Sequence, residues 1–262
     1  MKTYHELQEG VYDPNIFKAI FLAGGPGSGK SYVVRRTTGG LGMKILNSDD
    51  IYEKMLKDAG MTTTPEDIYS DKGQEIRGRA KGVTSRTKGN YLEGRLGLII
   101  DGTGKDYDKI ANQVSGLKNL GYETYMIFVN TSLETAQERN LKRDRTLAAD
   151  EVTRMWNAVQ NNIGKFQRLF GGKNFIVVDN NDAGEDVFEK VWKRCMVLIR
   201  KKVTNRIAKQ WIALQLKMKE RGENTTPTGS GRSGGLTKQK INPKRLRDIK
   251  KGGFARFARR TG

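Results

Sequence analysis

The chain has 262 residues, with 48 Lys+Arg against 29 Asp+Glu, one histidine and one cysteine. That inventory excludes a metal centre built from His and Cys, and the lone Cys195 excludes an internal disulfide and suits a reducing compartment. No run of about 18 apolar residues occurs, so no transmembrane helix is expected, and the opening Met1 to Glu9 lacks the basic-then-apolar pattern of a signal peptide.

The net charge of +19 is unevenly placed. Residues 1–189 balance 26 basic against 26 acidic residues, whereas residues 190–262 hold 22 against 3. Such a split predicts a neutral body with a basic appendage. His5 falls in a polar segment and is expected to be solvated; Cys195 occupies an apolar helical position and is expected to fill core.

The run Ala19 to Ala23 is short, apolar and bounded by glycine, which predicts a buried parallel strand. Gly24-Gly25-Pro26-Gly27-Ser28-Gly29-Lys30-Ser31 then matches a phosphate-binding loop, and Tyr32 onward continues as helix. Glycines at 24, 25, 27 and 29 let backbone N–H groups converge on phosphate oxygens at the positive end of that helix. Lys30 is placed to reach the β- and γ-phosphates of ATP, and the Ser31 hydroxyl to ligate Mg²⁺.

Met43 to Leu46 reads as a second strand. It leads into Asn47-Ser-Asp49-Asp50 and a helix from Ile51 to Ala59 closed by Gly60. Thr64-Pro-Glu-Asp opens a further helical segment reaching about Asn90. Leu96 to Ile100 is a third strand, running into Asp101-Gly-Thr103-Gly-Lys105. The helix after it carries Tyr107, Ile110, Val114, Leu117 and Leu120 on one face and stops at Gly121. Thr124 to Val129 is the next strand, and a Thr131-x-x-Glu134 capping box opens a helix ending in Glu138-Arg139-Asn-Leu-Lys142-Arg143-Asp-Arg145. Another helix follows with Val152, Met155, Trp156 and Val159 as its apolar face, so the basic residues between the two helices read as a lid. Phe175 to Val178 is the last strand. Through Asp179-Asn180-Asn181-Asp182 it enters a long amphipathic helix bearing Val187, Phe188, Val191, Trp192, Cys195, Leu198 and Ile199.

Strand and helix alternate, which predicts a doubly wound parallel α/β sheet with helices on both faces. The order of the motifs resembles the zeta-toxin and phage polynucleotide-kinase group of P-loop kinases. The similarity spans roughly residues 18–182. Gly102-Thr103-Gly104 and Gly121-Tyr-Glu-Thr124 are more like zeta toxins, and Glu138-Arg-Asn-Leu-Lys-Arg143 is more like the phage 5′-kinases. Cytoplasmic location is expected, in the host cytoplasm if the chain is phage-encoded.

The resemblance implies that Asp49 is the base that takes the acceptor proton, with Asp50 a helix-start acid; an N-cap role is the competing reading of Asp49. Asp101, at the end of its strand, is the candidate to hold Mg²⁺ together with Ser31 and to border the substrate. A turn role competes, because Asp-Gly is a common turn pair. By similarity to zeta toxins Thr103 contacts the acceptor. Arg139, Arg143 and Arg145 are the lid candidates for the nucleotide phosphates, Arg143 foremost as the catalytic arginine, against a plain helix-dipole role; Lys142 is expected to be solvated. Asn180 and Asn181 are weaker candidates to edge the adenine pocket. Relatives carry a basic residue three positions after the base, where this chain has Tyr52, so Lys54 or Arg77 is nominated to hold an acceptor phosphate.

Beyond the kinase body the helical pattern continues from Lys190 to Arg221, with Val203, Ile207, Trp211, Leu214 and Met218 in one stripe. Gly222 to Gly235 reads as a flexible linker, and Leu236 to Gly262 carries 10 basic residues against 1 acid. The expected organisation is an N-terminal segment 1–17, a kinase domain 18–200, a basic helix 201–222 and a tail 223–262. The basic extension is read as gripping nucleic acid, against a membrane or protein partner or a merely solvated tail. The activity expected is ATP-dependent phosphorylation of a hydroxyl, best a polynucleotide 5′-hydroxyl. The alternatives are a nucleotide sugar such as UDP-N-acetylglucosamine, and a nucleic-acid-binding protein that uses ATP only as ligand or switch. Whether an antitoxin partner exists stays open.

Overall fold

A computed structural model describes residues 11–13, 15–38, 41–142 and 146–222. Five parallel strands form one sheet in the order β2-β3-β1-β4-β5, comprising β1 (Lys18–Ala23), β2 (Lys44–Leu46), β3 (Leu98–Asp101), β4 (Glu123–Asn130) and β5 (Phe175–Asp179). Every residue of β1 is buried, as a central strand flanked by β3 and β4 requires. The chain leaves β1 for the far edge at β2, returns through β3, and crosses to β4. The carboxyl end of β1 is therefore the topological switch point, where open parallel sheets hold ligands.

Alternation along β1 feeds two cores. Ala19, Phe21 and Ala23 face a cluster with α5 (Tyr107–Asn119), α8 (Ile163–Phe170) and α10 (Arg206–Glu220), through Val114, Leu117, Phe166, Phe170 and Ala208. Ile20 and Leu22 face the other side, packed by Val33 and Val34 of α1 (Lys30–Thr38) and by Phe188, Val191, Cys195 and Leu198 of α9 (Glu185–Ile199). The doubly wound α/β architecture predicted from alternation is what forms. Burial pushes the Cys195 thiol up to about 12, so it is core filler with no thiolate at neutral pH.

A smaller third core joins α2 (Ser48–Asp58) to α3 (Pro65–Tyr69) and α4 (Asp71–Glu93) through Tyr52, Leu56, Ile68, Ile76 and Ala80. The segment from Thr64 to about Asn90 is thus two helices. Ser70 ends the first and caps the second, its hydroxyl accepting from Gly73 N at 3.0 Å.

Other expectations shift by a residue or a turn. Asn47 caps α2, which starts at Ser48 and not at Ile51. The cap of α6 (Leu133–Leu141) is Ser132, whose hydroxyl accepts from Thr135 N at 3.1 Å, in place of the Thr131–Glu134 box. Helix α8 was not foreseen between α7 (Ala149–Gln160) and β5, although Ile163, Phe166 and Phe170 repeat at helical spacing.

The continuous helix expected from Lys190 to Arg221 is broken: α9 ends at Ile199 and α10 begins at Arg206, capped by Asn205. The buried face of α10 is also rotated from the predicted stripe. Ala208 is fully buried, Trp211 packs edge-on against Phe17 at 5.4 Å, and Ile207 and Leu214 are exposed. Gly121 explains the rotation, because the backbone of α10 at Ala208 lies so close that a Cβ there would sit 2.9 Å from Ala208 N.

Candidate functional site

The loop from Gly24 to Gly29 closes the carboxyl end of β1. Gly24 N donates to Thr103 O at 3.0 Å, fastening it to the segment after β3, and Ser28 N donates to Gly25 O at 3.2 Å. Gly27 and Gly29 have φ of 73° and 74°, the left-handed region that favours glycine. A side chain at Gly27 would strike the Ala136 carbonyl of α6, and one at Gly29 the Asn180 amide. Gly24 and Gly25 need no such φ; a Cβ at Gly24 would lie 2.7 Å from the Ser28 hydroxyl.

The loop is braced from behind by residues around β5 and α6. Asn180 Nδ2 donates to Ser28 O at 2.8 Å, and the Arg139 guanidinium donates to Asn180 O at 2.7 Å and Asn181 O at 2.8 Å. Asn181 Oδ1 in turn accepts from Ser132 N at 2.7 Å, tying in the start of α6. Arg139, expected on a lid, is thus committed to two backbone carbonyls at the loop's flank. Together with Tyr32, Asn180, Asn181 and Phe188 it lines an open cavity of about 440 Å³. Arg143 and Arg145 lie outside the described residues, as do His5 and the 223–262 tail; Lys142 is exposed.

Helix α1 begins at Lys30, with Ser31 exposed in its first turn. Lys30 Nζ forms a salt bridge with Asp101 at the end of β3. Asn47 Nδ2 donates to the other Asp101 oxygen at 3.1 Å and to Asp50 Oδ1 at 2.8 Å, while Asn47 Oδ1 accepts from Asp49 N at 2.9 Å. A chain of contacts, Lys30, Asp101, Asn47, Asp50, therefore links the first residue of α1, the end of β3 and the start of α2. Burial, then the Asp101 charge, push the Asp50 carboxyl above its ordinary value, against the Asn47 hydrogen bond that pulls it down. That burial is partial, for Asp50 is exposed, as is Asp49 beside it. Asn47, not Asp49, makes the N-cap.

The sequence reading missed Asn47 as a site residue and undervalued Asn180. The available signal was the same for both: an Asn directly after a strand at the carboxyl edge of a parallel sheet. Thr103 is brought to the loop through its carbonyl. Tyr52 is buried, with its ring 5.0 Å beneath the Arg77 guanidinium, while Lys54 is exposed on α2. Helix α7 passes near the loop, where a Cβ at Gly25 would lie 3.8 Å from Trp156 Cα; Trp156 Nε1 donates to Thr131 O at 2.9 Å, and Asn162 Nδ2 donates to Gly104 O and Lys105 O, both at 3.0 Å.

This arrangement fits a nucleoside triphosphate. The loop offers left-handed glycines and a helix N-terminus with no acidic residue in its first turn. The buried Ser28 hydroxyl is also without a partner. Oxygen donors for Mg²⁺ are present as well: the Asp101 carboxylate, paired with Lys30, and the exposed hydroxyl of Ser31, the residue after that lysine. Mg²⁺ typically takes one or two carboxylates and completes its shell with substrate phosphates and water.

Among the described residues no helix is long and apolar enough to cross a membrane. Comparison with curated proteins gives no match. Among solved structures the chain is similar to a gluconokinase from Sinorhizobium meliloti (14% identity over 71% of this chain and 95% of that chain, TM-score 0.43). It is also similar to a shikimate kinase from Acinetobacter baumannii (17%, 73% and 99%, TM-score 0.44), and to a chain of the PezAT toxin–antitoxin system of Streptococcus pneumoniae (17%, 71% and 85%, TM-score 0.48). A family model described as an AAA domain matches residues 20–165, more than half of the sequence. The chain belongs to this AAA-domain family, with the parallel five-stranded α/β sheet of a kinase-type P-loop fold.

Proposed function

We propose that the protein is an ATP- and Mg²⁺-dependent kinase that transfers the γ-phosphate to a hydroxyl, with a polynucleotide 5′-hydroxyl as acceptor. The observation that carries this reading is the linkage of Lys30 through Asp101 and Asn47 to the start of α2, beside the exposed Asp49. A phosphate-binding lysine linked to the start of the helix that carries a solvent-facing carboxylate, at the carboxyl edge of the sheet, supports in-line phosphoryl transfer.

The loop amides of Gly25, Gly27 and Gly29 and the Lys30 ammonium would hold the triphosphate, and the base would occupy the cavity beside Arg139 and Asn181. Ser31 and Asp101 would hold Mg²⁺, which when bound neutralises charge on the phosphates. With a triphosphate bound, Lys30 would turn from Asp101 to the phosphates, and the Asp101 carboxylate would then be available to hold the metal. Asp49 accepts the proton of the attacking hydroxyl, and its exposure leaves room for an acceptor. Arg77, held over Tyr52, supplies the positive charge that relatives place three residues after the base. Arg143 and Arg145 remain the candidates for the lid.

The polynucleotide acceptor is preferred because the surplus charge is basic, 22 against 3 over residues 190–262. A nucleotide sugar is the second reading. It is favoured by the zeta-like Asp101-Gly-Thr103-Gly104, which the Gly24–Thr103 hydrogen bond places against the loop. Incubation with γ-labelled ATP and either a 5′-hydroxyl oligonucleotide or UDP-N-acetylglucosamine separates the two. ATP binding without label transfer to either would leave only a nucleotide-dependent binding protein.

A further inference from the structure

The outer surface of α4 is strongly basic. From Ile76 to Leu92 it holds Arg77, Arg79, Lys81, Arg86 and Lys88 and no acidic residue. Arg79, Lys81 and Arg86 are exposed, and Arg77 and Lys88 half-buried. Lys109 of α5 stands nearby; burial, then its like charge, hold the Lys88 ammonium below its ordinary value. Positive charge is therefore concentrated on this stretch of the helix, with Glu75 and Glu93 of the same helix beyond its two ends.

Between the basic rows runs a strip of bare backbone. Gly78, Gly82, Ser85 and Gly89 are spaced four, three and four apart, so they share one face, opposite the buried Ile76 and Ala80. Packing explains only one glycine of this helix: a Cβ at Gly73 would collide with the Asp67 carbonyl, whereas one at Gly78, Gly82 or Gly89 would meet nothing within 4 Å. Glycine in a helix interior is unfavourable relative to alanine. Three that the fold does not need, flanked by Arg79 and Arg86 on one side and Lys81 and Lys88 on the other, form a shallow channel about 16 Å long at 1.5 Å per residue.

We propose that this face of α4 binds the phosphodiester backbone of the acceptor strand, single-stranded DNA or RNA. Absent side chains let the strand approach the helix, and the flanking cations neutralise its phosphates. The channel is also aimed. Its Arg77 end stacks on Tyr52 of α2, three residues after Asp49, so a strand leaving the base would run along α4 towards Lys88. Packing of the glycine strip against a second copy of α4 is disfavoured, because it would bring the basic rows of both copies together. The proposal rests on the polynucleotide reading of the acceptor.

The test is fluorescence anisotropy of labelled 5′-hydroxyl DNA and RNA oligonucleotides with the full chain, across a salt series. Two variants are compared with the parent: Arg79→Ala/Arg86→Ala, and Gly78→Gln/Gly82→Gln, whose glutamines favour the helix and keep its charge. The arginine pair is expected to weaken binding about tenfold or more and to flatten the slope of log affinity against log salt by about 1.4, two contacts at ~0.7 each. The glutamine pair is expected to weaken binding with no loss of melting temperature. Stronger loss on RNA than DNA, or the reverse, identifies the strand. Unchanged affinity in both variants overturns the proposal, as does a parent dimer that the glutamine pair dissociates without affecting strand binding. A parent chain that binds through α4 yet transfers no phosphate upholds the binding face and refutes the kinase reading.

Discussion

Lys30 and Asp101, 71 positions apart in sequence, form a salt bridge between the first residue of α1 and the last residue of β3. Each is the other's counter-ion, and in the proposed kinase each would serve a ligand, the lysine phosphate and the carboxylate Mg²⁺. Lys30→Met should lower phosphoryl transfer about 10²- to 10³-fold, the effect of removing one donor from developing charge. Asp101→Asn releases the lysine, so affinity for ATP in the presence of a chelator should rise while the gain from added Mg²⁺ disappears. Calorimetric titration with and without Mg²⁺ reads both.

The two acids at the start of α2 should separate. Asp49→Ala is expected to lower kcat about 10²- to 10⁴-fold with ATP affinity intact, as loss of a general base would. Asp50 differs, since its carboxyl is raised by burial and by Asp101. A raised acid binds its proton more readily in the folded than in the unfolded chain, so its ionisation costs stability as pH rises through the folded value. Asp50→Asn should therefore raise the melting temperature at neutral pH, and the gain should vanish in acid below the unfolded value of about 3.9.

At the other end of the sheet Lys18, 1% exposed, pairs with Glu123. Burial pushes the Glu123 carboxyl up, but hydrogen bonds from Lys18 and Tyr125 and the Lys18 charge outweigh it and hold the group below its ordinary value. A lowered acid contributes stability above its unfolded value, near 4.3, and loses it as pH falls through the folded value. Glu123→Gln leaves a buried ammonium unpaired and should cost about 3 kcal/mol at neutral pH, less in acid, measured by urea unfolding.

Trp211 fixes α10 to the body, edge-on to Phe17 and 5.8 Å beneath the Arg95 guanidinium. Trp211→Ala should cost about 3 kcal/mol, the low end for emptying an aromatic site that is partly solvated. Ile207→Ala and Leu214→Ala, on the exposed side, should each fall within about 0.5 kcal/mol. Chemical unfolding of the three variants ranks them.

Much of this was legible because local signals and long-range needs coincided. The phosphate loop declares itself, since glycine at 27 and 29 serves both the turn and the close approach of Ala136 and Asn180. All five strands were found, being apolar runs bounded by turn residues. Helix ends were less legible: Asn47 and Ser132 took caps that Asp and Thr neighbours were equally suited to fill. The face of α10 was misjudged because Ile207 and Leu214 look like core, and only contact with Gly121 and Phe17 turns Ala208 and Trp211 inward instead. Nothing local could show that Arg139 is occupied by the carbonyls of Asn180 and Asn181, which lie 41 and 42 residues further along the chain. Nor could the sequence alone reveal that Tyr52 carries Arg77 on its ring.

The most direct test is transfer of labelled γ-phosphate from ATP with Mg²⁺ to 5′-hydroxyl DNA, 5′-hydroxyl RNA and UDP-N-acetylglucosamine side by side, with the parent chain and Asp49→Ala. The account predicts label on a polynucleotide 5′ end with the parent and its near-complete loss with Asp49→Ala. Bound ATP with no labelled acceptor, or label transfer indifferent to Asp49, would contradict it.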